Sequence, residues 1–400
     1  MTGGIFQLKA IGQQDAFLTK YPTQNFIKQS YNQYVNFSKD QISIYPKENV
    51  DFGKKWSIII PKFGDYVNNI YLNVKLPKLT RTSGTYAGWT NSVGNVLVKE
   101  YSIQIGDYII DKRYGLYAEI WEELSSKTPK ENILIGKYAH VSRLPYTAEY
   151  DTEYFVPLDF WFCKNLGAAL PLFAMRFNTV SIHFEFELFE NCVIYDGLTP
   201  PNSASILETK LIADYVYIDE NEKNKLFDTE FEFVISQLQA VMNEGIPRGG
   251  PHSIDLPFNH PCSELIWVFR EKASEENNDW FNFGVRNGIV FTDIFPLMED
   301  AKLLLDGTER NRVISGNSLN TLNVNKYHTS GTEKFIYCLP FCESPEVWYP
   351  TGTLNFSRVS HALLSVNLIT SALPVSAFVF AKNYNIIRIK NGEISISFSS

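Results

Sequence analysis

Ile182-His-Phe-Glu-Phe-Glu-Leu188 alternates apolar and polar residues at every step. A period of two puts Ile182, Phe184, Phe186 and Leu188 on one side of an extended chain and His183, Glu185 and Glu187 on the other. This is the pattern of a half-buried antiparallel strand. Ile70-Tyr-Leu-Asn-Val-Lys-Leu76 repeats it, with Ile70, Leu72, Val74 and Leu76 on the apolar side. Further strands are expected at Trp56–Ile60, Val96–Ile105, Leu211–Ile218, Glu232–Leu238, Leu265–Phe269, Ala301–Leu305, Phe335–Leu339, Leu363–Ile369 and Ser376–Ala381. Turn residues separate them: Lys62-Phe-Gly-Asp65, Gly106-Asp107, Asp306-Gly307 and Pro350-Thr-Gly352. Ile103-Gln-Ile-Gly-Asp107 is echoed by Leu303-Leu-Leu-Asp-Gly307, each a strand running into a tight turn, as two copies of one β-sandwich would give.

The stretch Ile387-Arg-Ile-Lys-Asn-Gly-Glu-Ile-Ser-Ile396 predicts a hairpin turning at Asn391-Gly392, because both residues tolerate the positive φ of a type I′ turn. A two-residue loop fixes the register: Lys390 faces Glu393, Ile389 faces Ile394 and Ile387 faces Ile396. Phe398 would continue the isoleucine face. Such a hairpin is marginal alone, so that face is expected to be buried on a larger sheet.

One helix stands out at Asp111–Ser126, where Tyr114, Tyr117, Trp121 and Leu124 recur at three- and four-residue steps. Glu119, Glu122 and Glu123 lie mostly off that stripe, and Thr128-Pro129 stops it. A second, polar helix is expected at Asp219–Phe227, between the two halves. Gly197–Ser205 and Asn243–Pro251 read as long loops.

The chain has 400 residues, 44% of them apolar, and single cores stop growing near roughly 250–300 residues, so two domains are expected. Aromatics make up 14% of the chain, which favours pleated, half-buried surfaces. The net charge of −8, with no Lys/Arg run, argues against direct nucleic-acid binding, which needs a basic face. No stretch approaches the length of an apolar membrane span. The five cysteines are Cys163, Cys192, Cys262, Cys338 and Cys342, and the opening Met-Thr-Gly-Gly-Ile-Phe is not a secretory signal. Reduced thiols and synthesis in the cytoplasm are therefore expected.

A search for chemistry returns no phosphate loop, dinucleotide fingerprint, zinc-protease helix or nucleophile elbow. No catalytic or cofactor-binding residue is assigned. Cys338-Leu-Pro-Phe-Cys342 with His328 falls short of the four ligands of a structural zinc site, so buried cysteines and no metal are expected. His252 and His260 read as loop histidines. Glu185 and Glu187 read as the polar face of a strand rather than paired catalytic carboxylates. The sequons at Asn36 and Asn355 are expected to serve the fold. A glycan-binding module would need exposed aromatics on outward loops, for which Trp89, Trp280 and Trp348 are the candidates.

An ordered set of segments resembles the major capsid proteins of nucleocytoplasmic large DNA viruses. Gly3-Gly-Ile-Phe-Gln-Leu-Lys-Ala-Ile-Gly-Gln-Gln-Asp-Ala-Phe-Leu-Thr19, Asn25-Phe-Ile-Lys28 and Tyr34-Val-Asn-Phe37 resemble the family's opening. Ile105-Gly-Asp-Tyr-Ile-Ile-Asp-Lys-Arg-Tyr-Gly115 resembles its strand-to-helix element. Phe155-Val-Pro-Leu-Asp-Phe-Trp-Phe162, Leu170-Pro-Leu-Phe-Ala174 and Asp214-Tyr-Val-Tyr-Ile-Asp219 resemble the late strands of its first jelly roll. Thr351-Gly-Thr-Leu-Asn-Phe-Ser-Arg358 and Ala381-Lys-Asn-Tyr-Asn-Ile-Ile-Arg388 resemble elements of the second. The chain departs from the family at Asn32 and Gln33, where arginines are common, and at Ser360, where an acid is common.

The resemblance implies an all-β fold of two consecutive eight-stranded jelly-roll sandwiches with short helices in the connecting loops. It implies an N-terminal arm at 1–25, a first jelly roll at 26–219, a linker at 220–229 and a second jelly roll at 230–400. It also implies a structural capsid protein of the virion rather than an enzyme. Three chains would form a pseudo-hexameric capsomer that tiles an icosahedral shell. The arm would contact neighbouring capsomers, minor capsid proteins or the internal membrane side of the shell. The alternatives are a minor or paralogous capsid protein, or a glycan-binding attachment protein.

Overall fold

The computed structural model describes residues 3–10, 12, 20–21, 34–127, 131–227, 230–247, 249–286, 294–370, 374–390 and 392–398. Residues 1–37 cluster as one unit, of which a short helix at Gly3–Lys9 is described; residues 38–400 form the other. Asn25–Lys28, Thr128-Pro129 and Asn391 lie outside the described residues.

Leaving aside three short pieces of two or three residues, the eight main strands of the first half are β1 (Phe37–Ile44), β2 (Lys55–Ile59), β3 (Tyr66–Leu76), β4 (Val98–Ile105), β5 (Tyr108–Tyr114), β6 (Thr152–Pro157), β7 (Val180–Phe186) and β8 (Glu208–Ile218). They pair as two antiparallel sheets, in the orders β1-β8-β3-β6 and β2-β7-β4-β5. The second set is β9 (Phe231–Ile246), β10 (Gly250–Asp255), β11 (Pro261–Glu271), β12 (Met298–Leu305), the short pieces β13 (Thr308–Glu309) and β14 (Ile314–Ser315), β15 (Tyr337–Pro340), β16 (Ala362–Leu368) and β17 (Val375–Lys390). Their orders are β9-β17-β11-β15 and β10-β16-β12, with β13 and β14 both on β12. If β13 and β14 count as one interrupted strand, both sets share one order: first-eighth-third-sixth over second-seventh-fourth-fifth. Two such sheets facing each other are a jelly roll.

Alternation works as expected in β7, where buried and half-buried residues take strict turns. Trp56, Ile58, Leu72, Ile103, Phe184 and Leu211 fill the space between the first two sheets, and Trp56 stacks on Phe184 at 4.5 Å. Ile254, Leu265, Trp267, Leu303, Leu364 and Val379 fill the second sandwich. The echoed turns take the same place in each: Gly106 (φ 58) follows β4, and Asp306 (φ 49) with Gly307 (φ 78) follows β12.

The C-terminal hairpin forms in the expected register. β18 (Glu393–Ile396) pairs with β17 as Lys390↔Glu393, Ile389↔Ile394 and Ile387↔Ile396, and Gly392 takes a left-handed φ of 85°. Ile387, Ile389 and Ile394 are buried, and they join the core of the first sandwich rather than the second. Two details differ. Phe398 lies past the strand and is exposed. Lys390 takes its ion pair from Glu230, 3.3 Å away, because the start of β9 runs beside β17.

Three element boundaries also differ. The helix spans Gly115–Ser125, because Asp111–Tyr114 complete β5. Asn243–Pro251 is no long loop, since β9 runs to Ile246 and β10 starts at Gly250. His252 lies within β10 rather than in a loop.

Candidate functional site: the seam between the sandwiches

The Gly115–Ser125 helix belongs to the first sandwich, yet its apolar stripe is satisfied by the second. Tyr117, Ile120 and Leu124 pack with Ile266 and Val268 of β11 and Phe378 and Phe380 of β17. Tyr117 meets Phe380 at 5.3 Å between ring centres. β11 and β17 thus bury both faces, with Leu265, Trp267 and Val379 turned to their own core and Ile266, Val268 and Phe380 to the seam.

Charges line this seam in a fixed pattern. Glu119 and Glu123, one helical turn apart, are buried and share two ammonium groups. Lys137 Nζ lies 3.1 Å from Glu119 Oε1 and 2.9 Å from Glu123 Oε1; Lys334 Nζ lies 3.2 Å and 2.9 Å from the same atoms. Asn95 Nδ2 donates to Glu119 Oε2 at 2.9 Å. Burial alone would raise the Glu119 pKa, but Lys334 and Lys137 outweigh it and bring it down to about 2. Two acids against two bases leave the quartet neutral. Lys334 comes from the second sandwich and the other three from the first.

A second tie forms on β5. Asp111 and Arg113 are buried side by side, with Arg113 Nε 2.6 Å from Asp111 Oδ2. Both reach β9: Arg113 Nη2 donates to Ser236 O at 3.1 Å, and Leu238 N donates to Asp111 Oδ1 at 3.1 Å. A third tie joins loops, where Trp280 Nε1 donates to Asn191 O at 2.7 Å and Asn278 Nδ2 to Val193 O at 2.8 Å. The hairpin makes a fourth: Ile394 N donates to Asn178 Oδ1 at 3.2 Å, and Phe177 N to Gly392 O at 3.3 Å.

Trp121, on the same helix, sits among cations of both sandwiches. Lys164 lies 4.9 Å from its ring centre, Lys382 of β17 lies 4.4 Å away, and the His328 ring meets it edge-on at 6.0 Å. Burial pushes the Lys382 pKa down to about 7. Buried ion pairs contribute little net stability, because desolvation offsets their attraction, but they penalise any other alignment. The apolar contacts drive the seam together, and the ion pairs fix its register.

The candidates read from sequence scatter. Glu185 pairs with Lys55 at 2.6 Å and Lys99 at 3.1 Å, while Glu187 binds Asn191, so the two do not act together. His260 is buried in a turn at φ 67°, and burial lowers its pKa. Asn355 accepts the Ser357 amide at 3.0 Å as a turn cap, and Asn36 is exposed. Trp89 is 0% exposed, Trp280 is half-buried under Arg270, and Trp348 is exposed beside Tyr349. The three tryptophans therefore form no glycan platform. All five cysteines are free thiols. A cleft of about 620 Å³ between the sandwiches is lined by Tyr86, Tyr195 and Asn278 among others, with no histidine, cysteine or basic residue in its described lining. Sequence reasoning missed the buried roles of Glu119, Glu123, Lys137 and Lys334, since no local spacing links residues this far apart.

Comparisons with known proteins agree along the whole chain. Residues 25–219 match the family described as "Major capsid protein N-terminus", and residues 222–395 match "Large eukaryotic DNA virus major capsid protein". The chain is 30% identical over 427 residues to the major capsid protein of Pyramimonas orientalis virus, covering 100% of both. It is 26% identical over 451 residues to that of Paramecium bursaria Chlorella virus 1, again covering 100% of both. Among solved structures, a chain of the quasi-atomic PBCV-1 capsid aligns with a TM-score of 0.79 at 23% identity, over 94% of this chain and 100% of that one. The Faustovirus major capsid protein aligns with a TM-score of 0.72 at 12% identity, over 97% and 96%.

Proposed function

As this chain belongs to the major capsid protein family of large eukaryotic DNA viruses, and so is a structural component of the virion shell and not an enzyme, we propose that it acts as a homotrimer forming a pseudo-hexameric block. The observation that carries this reading is the seam. Two sandwiches of one strand order, locked by packing and four polar ties, make a single rigid two-lobed unit. Three such units around a threefold axis present six like lobes, which tile a flat facet. Closed symmetry of this kind uses one repeated interface. In this reading the arm is 1–25, the jelly rolls are 26–219 and 230–400, and 220–229 links them.

Neighbouring capsomers, minor capsid proteins and the internal membrane side are the proposed partners, with no direct grip on nucleic acid. One end of the first sandwich offers a contact surface. Phe63 and Phe177 on loops and Tyr108 and Ile109 at the start of β5 are all exposed there, at an end tied together by Lys62 Nζ donating to Met175 O and Gly106 N donating to Thr179 O. Apolar groups of this size clustered on a surface mark an interaction site.

Light scattering after size exclusion tests the trimer. The expected mass is three times the 45.8 kDa of one chain, with pseudo-hexagonal blocks in negative stain. A chain that stays monomeric under assembly conditions would refute it.

A further inference from the structure

One cluster in the second sandwich is not needed by the shell role. Glu264 of β11, Cys338 of β15 and His328, just past a helix at Asn323–Tyr327, each offer one ligand atom, all within 4.8 Å of one another. All three side chains are buried. His328 Nε2 lies 2.8 Å from Glu264 Oε1, while Nδ1 lies 3.2 Å from Glu346 Oε1. Glu346 is itself held by the Thr329 amide at 2.7 Å. The second oxygen of Glu264, Oε2, is buried with no hydrogen-bond partner.

We propose that Glu264, His328 and Cys338 bind a structural zinc ion that pins the His328–Pro340 segment to β11. One imidazole, one thiolate and one carboxylate form a borderline donor set that suits zinc rather than calcium or magnesium. A carboxylate on the far ring nitrogen, as Glu346 is here, is the usual outer partner of a zinc-bound histidine. An ion pair of His328 with two carboxylates accounts for Nε2 and Nδ1. It leaves Glu264 Oε2 without a partner, at a desolvation cost of the kind buried polar groups rarely bear. A metal held by both Glu264 oxygens removes that deficit and brings the donor atoms to four, in a tetrahedron distorted by the narrow carboxylate bite.

The geometry needs little movement. Zinc bonds of roughly 2.0–2.2 Å to nitrogen and oxygen place those two atoms roughly 3.3 Å apart in a tetrahedron. Glu264 therefore withdraws from its 2.8 Å contact by a small side-chain rotation. On binding, the Cys338 thiol and His328 Nε2 each release a proton to solvent, and the thiolate and carboxylate balance the two positive charges of the ion. Spacing along the chain offered only Cys338, Cys342 and His328, a set one ligand short, and so gave the expectation of no metal that this proposal reverses. The structure turns Cys342 towards Thr351 and brings in Glu264, which lies on a strand far upstream.

The test is elemental analysis of the full chain purified without chelator from zinc-supplemented medium, with cobalt exchange as a second readout. About one zinc per chain is expected. Cobalt should give a thiolate-to-metal charge-transfer band that persists in Cys342→Ser and is lost in Cys338→Ser. Glu346→Gln should weaken zinc affinity about 10–100-fold. Should Cys338→Ser fail to fold, the wild-type cobalt spectrum and the Cys342→Ser control still decide. Folded wild-type protein with no stoichiometric zinc, or a cobalt spectrum without a thiolate band, overturns the proposal.

Discussion

β7 and β17 are both central strands of their sheets, yet they live in different surroundings. β7 buries every second residue and keeps His183 and Glu185 half-exposed. β17 buries its first eleven residues without a break, from Val375 to Asn385. One face of β17 meets its own sandwich through Val375, Ala377, Val379 and Ala381. The other meets the helix of the first sandwich through Phe378 and Phe380, and its far end joins the first core through Ile387 and Ile389. A strand with one wet face serves one domain. A strand buried on both faces is shared property, and the molecule's rigidity rests on the shared kind.

The sharpest way to break this contrast is to truncate one side chain on each strand. Phe380→Ala should cost about 3–5 kcal/mol in denaturant unfolding, as large-to-small changes in a packed core do. His183→Ala, on the polar face of β7, should stay within about 0.5 kcal/mol. Equal losses at the two sites would erase the distinction.

Acid should sharpen it next. The folded pKa of Glu119 is about 2, below the ordinary glutamate value of 4.5. A depressed carboxylate contributes stability that is complete above its unfolded pKa and is lost as pH falls towards the folded one. The wild type should therefore lose about 3 kcal/mol from this group between roughly pH 5 and 2. Glu119→Gln should start less stable and show a shallower acid slope. Parallel slopes in the two proteins would remove the quartet from the account.

The smallest effect belongs to the hairpin. Gly392→Ala places a Cβ at φ 85° and 3.0 Å from the Phe177 ring. The left-handed backbone alone should cost about 1–2 kcal/mol. Hydrogen exchange should show the Ile394 amide opening before the amides of β17 in the seam. Unchanged protection at Ile394 would mean that the hairpin does not close on the first sandwich.

What the sequence made legible follows from the same contrast. Alternation in Ile70–Leu76 and Ile182–Phe186 revealed one-sided strands, although Leu188, read onto the same apolar face, lies past the end of β7 and is exposed, and Asn391-Gly392 fixed a register to the residue, because both signals are local. The helix stripe of Tyr117 and Leu124 was visible, but its partners were not. An apolar stripe shows that something covers it and not what. Phe378 and Phe380 read only as strand residues, since an unbroken apolar run has no period to assign faces. Lys334 and Glu119 met through topology alone, as did Glu264 and His328.

The route of β17 also bears on synthesis. The first sandwich has all eight of its strands once Ile218 has been made, but its core also contains Ile387, Ile389 and Ile394. At translation rates of roughly 5–20 residues per second, those isoleucines follow about 170 residues and roughly 10–35 s later. Until then the nascent first lobe carries an open apolar patch on the ribosome. The chain seals it only after most of the second lobe has been translated.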